Sequence, residues 1–259
     1  MEYRPCIDIH NGKVKQIVGG SLRDEGDVAD ENFVSERGAD FFAAFYRDEG
    51  LMGGHVVMLN SKDSPYYEAT KQQALAALRA FPGGMQVGGG ITAENAAEFL
   101  DAGASHVIIT SFAFLDGELS VERLKKLVET VGREHIVLDL SARKRRNHHY
   151  VVTDRWQTFT RERVEPELFY RLESYCDEYL IHAVDMEGKN TGIDEEVLEI
   201  LSGYDGLPVT YAGGISSYAD IDTIREKGDG RINITIGSAM DLFGGELNYE
   251  TVLTMCAHI

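Results

Sequence analysis

Two aspartates occupy matching places in a chain that repeats itself. Asp8 lies in RPCIDIHNGK and Asp139 in HIVLDLSARK, each late in a short apolar, β-rich run, half a chain apart. On an alternating strand Asp8 shares a face with Cys6, while Ile7 and Ile9 take the other face. Asp139 likewise sides with Val137, opposite Leu138 and Leu140. A carboxylate on an enclosed face is costly unless it is hydrogen-bonded or used. Two of them at equivalent points of two halves can flank one substrate and divide acid and base work between them.

Each half also carries a glycine turn. Around Gly88 the chain reads VGGGITAENAAEFLDAGASHVIITSFAF, and around Gly213 it reads YAGGISSYADIDTIREKGDGRINITIGSAMDLF. Gly88, Gly89 and Gly90 in one copy, and Gly213 and Gly214 in the other, follow an apolar run and precede a helix-like segment. Backbone N–H groups at such a turn are available to an anion. Each turn has a companion in the next loop, Thr110-Ser111 and Gly237-Ser238. A lone glycine turn often serves geometry alone; two matched pairs point to two phosphate pockets. The nucleotide-binding patterns G-x-x-x-x-G-K-S/T and G-x-G-x-x-G are absent. Two phosphate pockets around two carboxylates suit a long, doubly phosphorylated substrate.

The segment SARKRRNHHYVVTDRWQTFT, residues 141–160, is basic in an acidic chain and holds the sole tryptophan, Trp156. It is too long for an ordinary turn and reads as a lid over the site. Trp156 could stack on a flat heterocycle, and Arg143 or Arg155 could meet a phosphate or carboxamide. A solvated hairpin with a packed tryptophan is the plainer reading of the same residues. His10 shares the face of Asp8 and could line the site. His182 reads as a satisfied core histidine, and His148-His149 as part of a solvated loop. No metal-ligand spacing is present, so no metal is expected.

Positioning these groups requires a scaffold. Apolar runs at 5–9, 55–59, 85–88, 106–110, 136–140, 179–184, 208–212 and 232–236 alternate with amphipathic stretches such as FVSERGADFFAAFYRDEG, YYEATKQQALAALRAF and VERLKKLVETVG. Strands alternating with helices mean a parallel sheet covered by helices. Eight of each, with an internal twofold repeat, favour an α/β (β/α)8 TIM barrel, whose active site sits at the C-terminal ends of the strands. No linker interrupts the pattern. One domain over 1–259 is expected, with half-barrels of roughly 1–130 and 131–259.

The formal net charge of −18 speaks against nucleic acid as a partner. No apolar run has membrane-span length, and MEYRPCIDIH lacks a signal-peptide pattern, so a cytoplasmic protein with no membrane partner is expected. Cys6, Cys176 and Cys256 read as reduced and buried.

The residues resemble those of a known family, phosphoribosylformimino-5-aminoimidazole carboxamide ribotide isomerase of histidine biosynthesis, and its eukaryotic-type branch most. The resemblance runs through nearly the whole chain. It is carried by CIDIHNGKVKQIVGG, QVGGGI, VLDLSARK, RWQT, LIHAVDMEG, YAGGI and TIGSAMDLFGG. It implies an aldose–ketose isomerase that performs an Amadori rearrangement without cofactor or metal. A monomer is expected. The family's two aspartates fall on Asp8 and Asp139. Its phosphate sites fall on Gly89, Gly90 and Ser111, and on Gly213, Gly214, Gly237 and Ser238; its lid tryptophan falls on Trp156. By this reading Asp139 protonates the ribose ring oxygen and Asp8 removes the C2 proton, although the roles could be reversed. The common bacterial pattern has a catalytic threonine in strand six, where this chain has Ala183 after His182. Two rivals remain: the paralogous cyclase, which takes ammonia from a glutaminase partner, and a non-catalytic phosphosugar-binding barrel.

Overall fold

A computed structural model describes residues 1–18, 21–23, 25–189 and 191–257. Gly19 and Gly20, which end the first quoted motif, lie outside them.

Eight parallel strands carry the fold: β1 Cys6–His10, β2 Gly54–Met58, β3 Met85–Gly88, β4 Val107–Ile109, β5 Ile136–Asp139, β6 Glu178–His182, β7 Val209–Ala212 and β8 Ile232–Thr235. Each lies within two residues of the apolar run that predicts it. They are hydrogen-bonded in chain order from β1 to β8. The ring closes beside β1, where Tyr3 bridges Ile234, Arg4 N donates to Ile234 O at 2.8 Å and Ile234 N donates to Glu2 O at 3.0 Å. The result is a (β/α)8 barrel. Its helices are α1 Ala39–Asp48, α2 Tyr67–Ala80, α3 Ala96–Asp101, α4 Val121–Val131, α5 Pro166–Leu172, α6 Glu195–Ser202, α7 Tyr218–Lys227 and α8 Tyr249–Ala257.

Strand alternation divides the core in two. Ile7, Ile9, Leu138, Tyr179, Ile181 and Tyr211 belong to the large cluster shared with the helices. Ile108, Val137, Leu180 and Ala212 form a separate apolar cluster within the ring. That inner layer fixes which face of β5 and β6 looks inward. Asp139, two residues after Val137, and His182, two after Leu180, therefore point into the ring at its C-terminal end.

One stretch departs from the expected alternation. Residues 33–50 read as a single amphipathic segment, yet Glu31–Val34 is a strand and only Ala39–Asp48 is helical. Glu31–Val34 pairs with Lys13–Ile17, which folds back on β1 through the pairs Ile9–Val14 and His10–Lys13. The turn between them is Asn11-Gly12, with φ of 53° and 72°. Asn-Gly between two β-rich runs is a strong hairpin signal that helical periodicity downstream conceals.

Candidate active site

A cleft of about 630 Å³ opens at the C-terminal ends of the strands. Asp8, Asp139, the turns Gly88–Gly90 and Gly213-Gly214, Ser111, Trp156, Gly237 and Ser238 all line it. In a ring of eight, β1 and β5 are diametrically opposed, so the aspartates face each other across the cleft. The glycine turns follow β3 and β7, which are also opposed, on the crossed diameter. Ser111 and Ser238 follow β4 and β8, the next pair round.

Asp139 is buried and engaged on both oxygens. Ser141 Oγ donates to Oδ1 at 2.7 Å, and His182 Nδ1 lies 3.3 Å from Oδ2, off the line of a well-formed hydrogen bond. The direction of the serine bond is fixed by chemistry. Trp156 Nε1 lies 3.0 Å from Ser141 Oγ, and an indole N–H can only donate. Ser141 accepts from Trp156 and must commit its single proton to Asp139. The carboxylate therefore receives one hydroxyl proton and faces one imidazole.

The other charges follow from this. Burial alone disfavours a charged His182, but Asp139, with Glu187 and Asp8 beyond it, overrides that and pushes the ring up to about 9. Asp8 behaves oppositely: burial pushes it up to about 7, Glu187 adds to the effect, and His182 works against both. Burial also raises Glu187, against the pull of His182. His55, whose ring centroid is 6.2 Å from that of His182, is pushed down to about 3 by burial and by His182. Near neutrality the site thus sets an imidazolium beside an aspartic acid poised between its two forms.

The glycine turns differ from expectation in one respect. Neither opens directly into a helix: α3 and α7 begin at Ala96 and Tyr218, after Thr92–Asn95 and a Ser216-Ser217 segment. Ser217 caps α7 with a reciprocal Asp220 bond, and Asn95 Oδ1 accepts from Thr92 N. Those side chains set the helix starts back from the cleft, and the glycine turns rather than the helix N-termini border it. The two turns are also unequal. A Cβ on Gly90 would meet nothing nearer than Lys62 Cε at 3.6 Å, whereas one on Gly214 would overlap the carbonyl oxygen of Gly192.

The basic segment is a three-stranded antiparallel ribbon, Ala142–Arg145, His148–Thr153 and Thr158–Arg163. Its tip reaches over the cleft. Asp154, Arg155 and Trp156 all have left-handed φ, at 52°, 53° and 68°. Asp154 N donates to Ser111 Oγ at 2.9 Å, tying the tip to the opposite half. Arg155 lines the cleft, as expected. Arg143 does not: its Nε pairs with Asp185 Oδ1 at 3.0 Å and its guanidinium holds the Trp156 carbonyl at 3.3 Å. His10 is buried away from the cleft lining. His149 is buried rather than solvated, bonded through Nε2 to the α6 cap Asp194 at 3.0 Å. His182 is a cleft residue rather than core filling, and Glu187 and Lys62, unremarked from sequence, line the cleft too. The signal for His182 was parity: it stands two residues beyond inward-facing Leu180. Cys6, Cys176 and Cys256 are free and buried. Among the described residues no cluster of three or more His, Cys, Asp or Glu could hold a metal.

Among the described residues no helix is long and apolar enough to cross a membrane. Residues 3–248 match the family model described as "Histidine biosynthesis protein". The chain is 46% identical over 257 residues to the chloroplastic 1-(5-phosphoribosyl)-5-((5-phosphoribosylamino)methylideneamino) imidazole-4-carboxamide isomerase of Medicago truncatula, covering 98% of this chain and 81% of the relative. It is 44% identical to the isomerase of the same name from Neurospora crassa, over 94% of this chain and 93% of that one. The Saccharomyces cerevisiae isomerase is 40% identical, with 93% and 92% covered. A barrel with paired aspartates and paired glycine turns, matched along almost its full length, is a member of the histidine biosynthesis protein family.

Proposed function

We propose that this protein is the aldose–ketose isomerase of histidine biosynthesis, converting a phosphoribosylformimino-aminoimidazole carboxamide ribotide to its phosphoribulosyl isomer by an Amadori rearrangement. One observation carries the reading: opposed aspartates on β1 and β5, with glycine turns on the crossed diameter, in a chain 37–46% identical to isomerases of that name. The terminal phosphates of the substrate lie at Gly89, Gly90 and Ser111 on one side, and at Gly213, Gly214, Gly237 and Ser238 on the other. Trp156 covers the heterocycle. Arg143 contributes by holding the Trp156 carbonyl rather than by touching substrate.

The Asp139 side of the cleft supplies a proton to the ribose ring oxygen. The C1–O bond breaks onto that oxygen and the exocyclic nitrogen closes a C1=N Schiff base. Asp8 removes the C2 proton; the resulting enolamine takes a proton at C1 and releases one from the C2 hydroxyl to give the ketone. A carboxylic acid poised near 7 suits Asp8 for taking and returning that proton. No cofactor enters these steps. The chain acts as one barrel of two halves, 1–130 and 131–259, as a cytoplasmic monomer.

The test is direct conversion of the aminoaldose by purified protein. Isomerisation without glutamine or ammonia supports the reading. Consumption of the ketose only when ammonia is present would assign the cyclase instead, and binding without turnover would assign a sensor.

A further inference from the structure

The two-aspartate scheme leaves one group unexplained. Asp139 accepts the Ser141 hydroxyl on Oδ1 and faces His182 on Oδ2, so both of its oxygens are turned to protein neighbours. His182 stands beside it on the neighbouring strand, buried, lining the cleft, with its Nδ1 turned to Asp139. That leaves Nε2 as the end of the ring available to a ligand, and no hydrogen bond from it to a described residue is present. Trp156 lies over the ring, with centroids 5.8 Å apart, and His55 packs on it at 6.2 Å. Such a carboxylate–imidazole pair, buried under an aromatic lid, has the arrangement of an oriented general acid.

We propose that His182, oriented by Asp139, is the catalytic residue that hands the proton to the ribose ring oxygen. Asp139 is then a positioning residue that acts through the imidazole. The inference rests on the isomerase reading and deepens it. His182 Nε2–H gives its proton to the ring oxygen as the C1–O bond breaks, leaving neutral imidazole. Asp8 carries the C2 proton to C1. The proton released from the C2 hydroxyl returns to His182, so the enzyme ends as it began. The charge needed for the first step is present: of the groups facing His182, Asp139 on β5, Asp8 on β1 and Glu187 on the following loop all favour the imidazolium. Only burial opposes it, and His55 on β2, which packs on the ring, is itself held neutral. The same arrangement accounts for Ala183. With an acid supplied by the preceding residue, the next position has no hydroxyl to provide.

The experiment compares kcat–pH profiles of wild type, His182→Gln and Asp139→Asn, alongside an NMR titration of the His182 ring in the unmutated protein. A proton-donating His182 gives wild-type kcat that falls as pH rises through about 9. His182→Gln should lose at least about 10²-fold in kcat together with that alkaline limb. Asp139→Asn should keep the limb but move it down by more than one pH unit, because the main raising charge is gone. The ring should titrate near the limb in wild type, a readout that needs no variant to fold. Wild-type-like kcat in His182→Gln, an unmoved limb in Asp139→Asn, or a ring already neutral at pH 7 would each overturn the inference. Failure of the wild type to isomerise the aminoaldose would instead overturn the reading on which it rests.

Discussion

Trp156 and Ser141 are joined by an indole N–H bond of 3.0 Å, and through that one hydroxyl the lid reaches the carboxylate of Asp139. Withdrawing the tryptophan frees Ser141 to turn its proton elsewhere. Lid position and the hydrogen bonding of Asp139 are therefore linked.

Trp156→Phe keeps the ring and removes the donor. The loss of one such bond is worth about 1 kcal/mol, so kcat should fall roughly fivefold. Steady-state kinetics measures this. Unchanged kcat would show that the serine proton does not matter to turnover.

Asp8→Asn should lower kcat by at least about 10²-fold while raising stability. The sign follows from the proton count. The folded state holds the Asp8 proton up to about pH 7, against an ordinary value of 3.8, so the folded protein binds more protons than the unfolded chain between those values. Stability therefore falls as pH rises through that window and stays lower above it. At pH 8 the variant should melt at least about 2 °C above wild type, and at pH 4 the gap should close. A variant that melts lower at pH 8 contradicts the burial of a charged Asp8.

How much of this was legible beforehand depends on range. β3 and β5 could be located to within a residue because their apolar runs are local facts. The inward direction of Asp8 and Asp139 followed from alternation alone. Asn11-Gly12 was legible too, but its hairpin was obscured by the helix that follows. By contrast, His149 looked solvated because its partner Asp194 is 45 positions away. Arg143 looked like a ligand contact because Asp185 on another loop was invisible. His182 was in plain view, yet only the packing of β5 against β6 shows that Asp139 is its neighbour.

The glycine turns should respond differently to one methyl group. Gly90 has φ +70° and an added Cβ would make only ordinary contact with the Lys62 side chain, so Gly90→Ala should cost about 1 kcal/mol of backbone strain and raise KM about tenfold or more by crowding the anion. Gly214→Ala meets the Gly192 carbonyl and the Met186 side chain, and its main effect should be a lower Tm. Thermal melts and KM values together test the split. Equal stability losses in both would make the turns mere geometry.

The two proposed anion pockets also carry different neighbours. An added Cβ on Gly89 would overlap the carbonyl of Met58, and one on Gly213 would crowd that of Ala183; four residues beyond those carbonyls stand Lys62 and Glu187. A lysine attends one pocket and a glutamate the other. Sulfate soaked into crystals should therefore fill the Gly89-Gly90 pocket at lower concentration, and Lys62→Gln should remove that preference. Filling of the Gly213 pocket first would reverse the assignment.

The seam at Ile234 has a consequence for how the site comes into being. On an open sheet Asp8 and Asp139 would stand four strand spacings apart, about 19 Å, facing the same way rather than each other. Only closure of the ring through Tyr3, Arg4 and Ile234 turns them to opposite walls. Those contacts join residues some 230 positions apart, so closing the ring carries a large loop-closure cost. A nascent chain can complete β1 to β7 with their helices and still have no active site. Until the last strand docks, the two aspartates cannot face one another.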